Sequence, residues 1–321
     1  MIIVNKFVPR AMGTNFLKIY SDIYTRRMDA KRNGDKVTSD VLKITLNGTF
    51  GKLGSPYSIM YSPDLMIQVT VTGQLLLLML IERLESYGIH VDSANTDGIV
   101  SKVPRSKRHI YEAVLFDWEC ETGLELEMNH YRSLHSRDVN NYIAITDSGK
   151  VKCKGAFAPA TIDKNPNAEV AVMAVIEYLT NGTPIEDTIE RCADITKFIM
   201  IRQVRGGACV DSGTLPHLDY LGLSDSELDE VLANDCPIFL GRVVRWYYAK
   251  GVRGGIHYKL NGNTVPRTEG AMPCMELPDE LPDDIDYGWY IREAYGILKD
   301  TGAVYKDPSL AGRSGEVYGR L

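Results

Sequence analysis

At 321 residues and 44% hydrophobic content, the chain has room for two or three packed domains. A net charge of −6 counts against a uniformly basic nucleic-acid binder. The six cysteines (Cys120, Cys153, Cys192, Cys209, Cys236, Cys274) include no Cys-x-x-Cys pair and have no histidine at ligand spacing, which argues against zinc and for reduced thiols in a cytoplasmic protein. Residues 1–6 lack the layout of a secretory signal. The apolar run at 75–81 is closed by Glu82 and Arg83, so no membrane is expected.

In chain order, residues 14–32 place Phe16, Leu17, Ile19, Tyr20, Ile23 and Tyr24 at helical spacing. Basic residues crowd the last two turns, where the helix dipole favours them. Asn33-Gly34-Asp35 is a turn signal, and Thr38-Ser39-Asp40 is placed to cap a second helix ended by Gly51 and Gly54. Together these predict an antiparallel helical hairpin with a basic face. Ser62-Pro63-Asp64 opens a long helix to residue 86, apolar enough to predict burial against a sheet, and Gly88 stops it. Strands at 89–94 and 99–103 flank Asn95-Thr96-Asp97-Gly98 as a hairpin.

A helix follows at 104–122, then strands at 125–136, 141–146 and 150–154. Beyond Gly155, helices are predicted at 165–179 and 184–199, followed by Gly- and Arg-rich loops such as Arg205-Gly206-Gly207. An exposed linker at 278–286 and a terminal helix at 287–301 complete the chain. Helices packed on antiparallel sheet define an α+β class.

Charge is segregated. Residues 1–54 carry ten Lys or Arg against four Asp, residues 241–267 carry six basic residues and no acid, and residues 269–286 are acidic with no basic residue. Local positive surface is what attracts a phosphate backbone, although solvated helix faces produce similar runs.

Lys43, Asn47 and Phe50, at i, i+4 and i+7, share one helix face. An ammonium, an amide and an aromatic ring in line suit phosphate, base pair and sugar respectively. Gly48 and Gly51 each cost a helix about 1 kcal/mol relative to alanine, which close approach of another backbone would justify. An amphipathic helix can carry the same stripe. Arg27 and Lys31, four apart on the preceding helix, can lie near Lys43. Three cations converging without acids call for a polyanion such as a triphosphate, or else are an exposed basic helix. Asp97, at the hairpin tip, can bind a hard cation such as Mg²⁺, though Asp-Gly is also ordinary turn chemistry. Asp92 is the nearest alternative carboxylate.

In this order the segments resemble the family B DNA polymerases, especially the short-fingered bacteriophage type, over about residues 14–155. Arg27-Met-Asp-Ala-Lys31 matches the fingers pattern Arg-x-x-x-Lys. Lys43, Asn47, Phe50 and Gly51 match motif B, with phenylalanine for tyrosine, and Ser93 to Gly98 match motif C in part, with Asn95 for its first Asp. The resemblance implies helical-hairpin fingers over 1–55, an antiparallel-sheet palm over 56–155 lacking its motif A strand, and a mixed helical and loop thumb over 156–321. It further implies template-directed DNA synthesis, with nucleotidyl transfer from a dNTP to a primer 3′-OH assisted by two Mg²⁺ ions.

Arg27, Lys31, Lys43, Asn47 and Phe50 would then bind the dNTP, and Asp97 would be the catalytic metal ligand. Gly51, Tyr142, Lys152 and Lys154 would meet the DNA primer–template, Tyr142 standing in Asn140-Asn141-Tyr142 where the family has Lys-x-Tyr. Motif A (Asp-x-x-Ser-Leu-Tyr-Pro) and the exonuclease acids are not found in these residues. The expectation is that an N-terminal polymerase fragment supplies them, that the chain is inactive alone, and that it is a viral protein of the bacterial cytoplasm. A non-catalytic nucleic-acid-binding derivative of a polymerase is the second reading.

Overall fold

The computed structural model describes residues 1–161, 165–234 and 236–302. It is an α+β protein of helices and antiparallel sheets, in two compact units, Met1–Asn129 and His130–Leu321. The three strands expected at 125–154 therefore belong with the second unit, apart from the 95–98 hairpin.

The first unit opens with α1 (Asn15–Arg32) and α2 (Lys36–Leu53), an antiparallel hairpin turned at Asn33 and Gly34. The cap of α2 is Asp35, whose carboxylate accepts the Thr38 N–H at 3.0 Å, earlier than the Thr38-Ser39-Asp40 cap expected. The seam is thin: Phe16 stacks on Tyr20, the Tyr20 hydroxyl donates to the Leu46 carbonyl at 3.3 Å, and Ala30, Leu46 and Leu53 are buried.

Helix α3 (Pro63–Ser86) has proline in its first turn. The hydroxyl of Ser62, which precedes it, accepts the Arg10 N–H instead of capping the helix. Leu65 is buried at its near end, and the larger packing is in its far half. Leu80 and Leu84 join Ile89 and three residues of α4 (Arg108–Thr122), namely Val114, Leu115 and Trp118, whose indole donates to the Leu76 carbonyl at 2.8 Å. Ile67, Val71, Leu75 and Leu78 remain exposed, so the expected burial against a sheet is corrected. The adjoining sheet, β1 (Val91–Ala94) with β2 (Ile99–Ser101), has only two short strands and cannot cover a helix of 24 residues. By length and composition alone α3 is long and apolar enough to cross a membrane, a test that core helices also pass. Gly88, at φ +65°, ends the turn after α3, and Lys107 donates to the Tyr87 and Gly88 carbonyls at 2.8 and 2.9 Å.

The second unit begins with a meander, β3 (Ser133–Asp138), β4 (Asn141–Ile145) and β5 (Val151–Lys154). Strand β3 starts well inside the 125–136 expectation. After α5 (Glu169–Asn181), the helix expected at 184–199 is only α6 (Ile185–Glu190) and a 3-10 turn at Ile195–Lys197. The Asp194 carboxylate takes the Thr196 N–H and hydroxyl, a local bond that competes with helix continuation.

The stretch read as Gly- and Arg-rich loops holds the largest sheet. Strands β6 (Met200–Val210) and β7 (Ile238–Tyr248) pair antiparallel at its centre, flanked by β8 (His257–Tyr258) and β9 (Ala271–Pro273), in the order β8-β6-β7-β9. Gly206 and Gly207, at φ +85° and +92°, bulge β6 without ending it, and the register shifts between Gln203 and Ala208. Helix α7 (Asp225–Asn234) lies between β6 and β7 in sequence.

The linker expected at 278–286 is pinned at its end. Ile285 is buried and bridges Ala249, while Asp284 accepts the Tyr247 hydroxyl at 2.9 Å and lies 3.1 Å from His217 Nε2. Helix α8 (Tyr287–Asp300) then packs Tyr290 into the core. The Tyr290 hydroxyl donates to the Phe198 carbonyl at 2.8 Å and accepts the Tyr248 N–H at 2.9 Å. Burial pushes this phenol far above its ordinary pKa. Tyr290→Phe strands a buried N–H and a buried carbonyl, each worth about 1–3 kcal/mol. It is expected to destabilise the second unit by about 2–4 kcal/mol, measurable as a lower urea midpoint with an unchanged slope.

Candidate nucleotide and nucleic-acid site

At 100° per residue, Phe50 falls at the edge of the α1–α2 seam, followed around the helix by Lys43, Asn47 and Gly51. The exposure agrees: Phe50 is partly buried, and Lys43, Asn47 and Gly51 are exposed. Phe50 is thus partly covered while Lys43 and Asn47 reach solvent. A Cβ built on Gly48 or Gly51 meets no heavy atom within 4 Å. Contact within the described protein therefore does not require these glycines, and both leave backbone open on the outer side of α2.

The bond from Tyr20 to Leu46 sets the level of the hairpin. It puts Lys43 beside Ile23, about 6 Å along the axis from Arg27. Arg27 has no carboxylate partner among the described residues, and its Nε is shielded from solvent without an acceptor. Lys31 differs. Its ammonium lies 3.2 Å from Glu127, so the expectation of cations without acids is corrected for this residue. Both side chains are mostly exposed, at 53% and 76%, and such a bridge is worth about 0–1 kcal/mol, little enough to be exchanged for a phosphate. Glu127 lies in a stretch read as strand, and nothing in its local sequence marks it as a partner of Lys31.

Asp97 stands at the exposed tip of the β1–β2 hairpin. Asn95 N–H donates to the Gly98 carbonyl at 2.9 Å, and the Asn95 side-chain oxygen accepts the Asp97 N–H at 3.1 Å. Asn95 thereby closes an Asx turn with Asp97 exposed within it. Asp92 is exposed within β1, 3.9 Å from His90 Nε2. Among the described residues no three His, Cys, Asp or Glu side chains converge to hold a metal. Asp97 offers one carboxylate, which does not fit a two-ion Mg²⁺ cage built from this chain's described residues alone.

In the second unit, the β4–β5 register sets Tyr142 opposite Lys154 and Ala144 opposite Lys152, so all four share one face of the meander. Ile143 and Ile145 point to the other face and are buried. The Lys154 ammonium lies 5.9 Å from the Tyr142 ring centroid, and that of Lys152 lies 5.6 Å from the Tyr131 ring, which the sequence reading did not single out. The turn before Tyr142 is stiff. The Asn141 amide donates to the Asp138 carboxylate at 2.7 and 2.8 Å, and its oxygen accepts the Ala156 N–H at 2.7 Å. These bonds from Asn141, with that from the Asn140 N–H, hold the Asp138 carboxyl below the usual carboxylate range. Gly155, at φ +63°, admits no Cβ, which would overlap the Asn141 side chain and the Asn140 carbonyl.

The structure thus gathers two sets of the expected residues. Phe50, Lys43, Asn47 and Gly51 line one flank of α2 in the first unit. Tyr142, Lys152 and Lys154 share a sheet face in the second. If the α2 flank takes a base pair, Gly48→Ala and Gly51→Ala have opposed effects. Each is expected to stabilise the first unit by about 1 kcal/mol, because the new methyl meets nothing and the helix gains propensity. Each is also expected to weaken nucleotide binding at the flank. Urea melts and equilibrium dNTP titrations on the same samples measure the two signs.

No protein-family profile matches the chain. It is 25% identical over 169 residues to DNA polymerase 1 of Sulfurisphaera ohwakuensis, a match covering 50% of this chain and 19% of that protein. It is 27% identical over 124 residues to DNA polymerase 1 of Aeropyrum pernix, covering 38% of this chain and 13% of that protein. The chain thus spans less than a fifth of the length of these relatives. Among solved structures it is similar to the family B DNA polymerase from the hyperthermophilic archaeon Pyrobaculum calidifontis, with a TM-score of 0.49 and 16% identity, over 92% of this chain and 38% of that one. By its sequence matches, part of the chain is related to DNA polymerases.

Proposed function

We propose that this chain is the C-terminal part of a phage-type family B DNA polymerase, comprising fingers, part of the palm, and thumb, and that it takes part in template-directed DNA synthesis. Its partners in that role are a DNA primer–template and an incoming dNTP. The observation that carries the reading is the α2 flank, where exposed Lys43 and Asn47 stand beside a partly buried Phe50 and two glycines that face open space. The relationship to DNA polymerases and the order of the motif segments support it.

In this reading Lys43 and Arg27 grip the triphosphate through charge-assisted bonds, with Lys31 joining when phosphate displaces Glu127. Phe50 supports the sugar and base, Asn47 and the open backbone at Gly51 meet the nascent pair, and Tyr142 with Lys152 and Lys154 steadies the primer end. Asp97 presents its carboxylate to the reacting centre. Two Mg²⁺ ions, which in such chemistry stabilise charge on the attacking and leaving oxygens, need further carboxylates, and we assign these to a motif A segment outside the 321 residues.

Asn95 favours a second reading. It replaces an acid of motif C and spends its side chain on the turn. A non-catalytic nucleic-acid-binding role would keep the basic surfaces and dispense with Asp97.

Primer extension separates the two. With a polymerase N-terminal segment carrying Asp-x-x-Ser-Leu-Tyr-Pro supplied in trans with Mg²⁺, the chain is expected to extend a primer. Asp97→Ala is expected to lower the rate by about three orders of magnitude, several kcal/mol of barrier. No extension with that segment present, or undiminished extension by Asp97→Ala, contradicts catalysis. Salt-sensitive primer–template binding that ignores Asp97 then supports the second reading.

A further inference from the structure

The Arg205-Gly206-Gly207 segment and the acid-free stretch at 241–267 play no part in the site above, yet the second unit brings them together. The β6 bulge is the meeting point. Lys259, just after β8, donates its N–H to the Gly207 carbonyl at 3.0 Å. A Cβ on Gly206 would fall 2.4 Å from Leu260, and one on Gly207 would fall 2.6 Å from the edge of the Phe239 ring. The glycines therefore let two apolar side chains settle directly on backbone. Phe239, at the start of β7 and opposite Cys209, is still 52% exposed, with Lys259 Nζ 4.4 Å from its ring centroid. Leu260 and Val243 are exposed as well.

Cations surround this apolar group. The register skips residues 204–207 opposite Arg242, so Arg205 lies within the bulge and Arg242 across from it on β7, and both are exposed. Neither they nor Lys259 has a carboxylate partner among the described residues. Exposed ring, exposed aliphatics and unpaired cations around one bulge match a strand that offers both phosphates and bare base faces. A duplex would satisfy the cations but hide its bases from Phe239.

We propose that the surface around this bulge, where β8, β6 and β7 meet, binds single-stranded nucleic acid, an unpaired base stacking on Phe239 while Lys259, Arg205 and Arg242 hold neighbouring phosphates. The Lys259 ammonium, poised over the ring, moves aside to a phosphate as the base arrives. Its binding can be tested without dNTP, Mg²⁺ or extension.

The test is fluorescence anisotropy of the full chain with labelled oligothymidine and with a duplex of equal length, across a salt series. Phe239→Ala is expected to weaken oligothymidine binding about 5- to 100-fold, the range of one lost stack, with duplex affinity unchanged within about twofold. Phe239→Trp is expected to keep the affinity and to show quenched indole fluorescence on binding, which controls for misfolding. Arg242→Gln is expected to reduce the slope of log K against log salt by about 0.7. Wild-type oligothymidine affinity in Phe239→Ala, or an equal loss on duplex, overturns the proposal. So does intact oligonucleotide binding by Phe239→Ala together with loss of self-association in light scattering, which would make the patch a protein contact.

Discussion

Positive charge without a carboxylate beside it is the constraint to which the functional surfaces answer. Arg27, Lys43, Lys154, Arg205, Arg242 and Lys259 have no acidic partner among the described residues, although the chain carries more acids than bases. Many of those acids are spent elsewhere, as Asp35 in the α2 cap, Asp138 in the β3–β4 turn and Asp284 beneath Tyr247. Cations held near one another on rigid elements repel at short range, and a bound polyanion removes that cost while releasing counterions. The net charge of the whole chain hides this, because its sign is set by segments such as 269–286.

Rigid backing is what turns these cations into surfaces. Phe50 is partly buried on a helix whose Leu46 and Leu53 are buried. Tyr142 is presented by a turn in which Asn141 bonds both Asp138 and Ala156. Phe239 and Leu260 rest on a glycine bulge, and the sheet behind them is packed on Trp246, Tyr248 and Tyr290. In each case a buried or hydrogen-bonded base carries a side chain that faces solvent. The first unit is less complete: one side of α3 keeps Ile67, Val71, Leu75 and Leu78 in solvent, and the two-stranded sheet is too small to cover them.

Much of this was legible in the sequence, where a local signal decided the outcome. The α1–α2 hairpin, the strands around Asn95 to Gly98, helix α5 ending at Gly182 and helix α8 follow from periodicity and caps. The stripe of Lys43, Asn47 and Phe50 needed only helical spacing. What escaped depended on distant contacts or on glycine in an unusual role. Gly206 and Gly207 read as a loop, yet they bulge a strand whose pairing is set by residues about forty positions away. The leucines of α3 read as a buried face, but burial requires a partner surface that helical periodicity cannot reveal. Lys31 read as a free cation because Glu127, 96 residues on, carries no local mark of its role.

The most direct measurement is ternary-complex stability with a dideoxy-terminated primer–template, which blocks chemistry and isolates recognition by the α2 flank. With Mg²⁺ and a motif A segment supplied, the dNTP that pairs with the next template base should tighten primer–template binding more than the other three do, and Lys43→Ala should abolish the difference. Equal effects of all four nucleotides, or a preference that survives Lys43→Ala, would contradict a nucleotide site on α2.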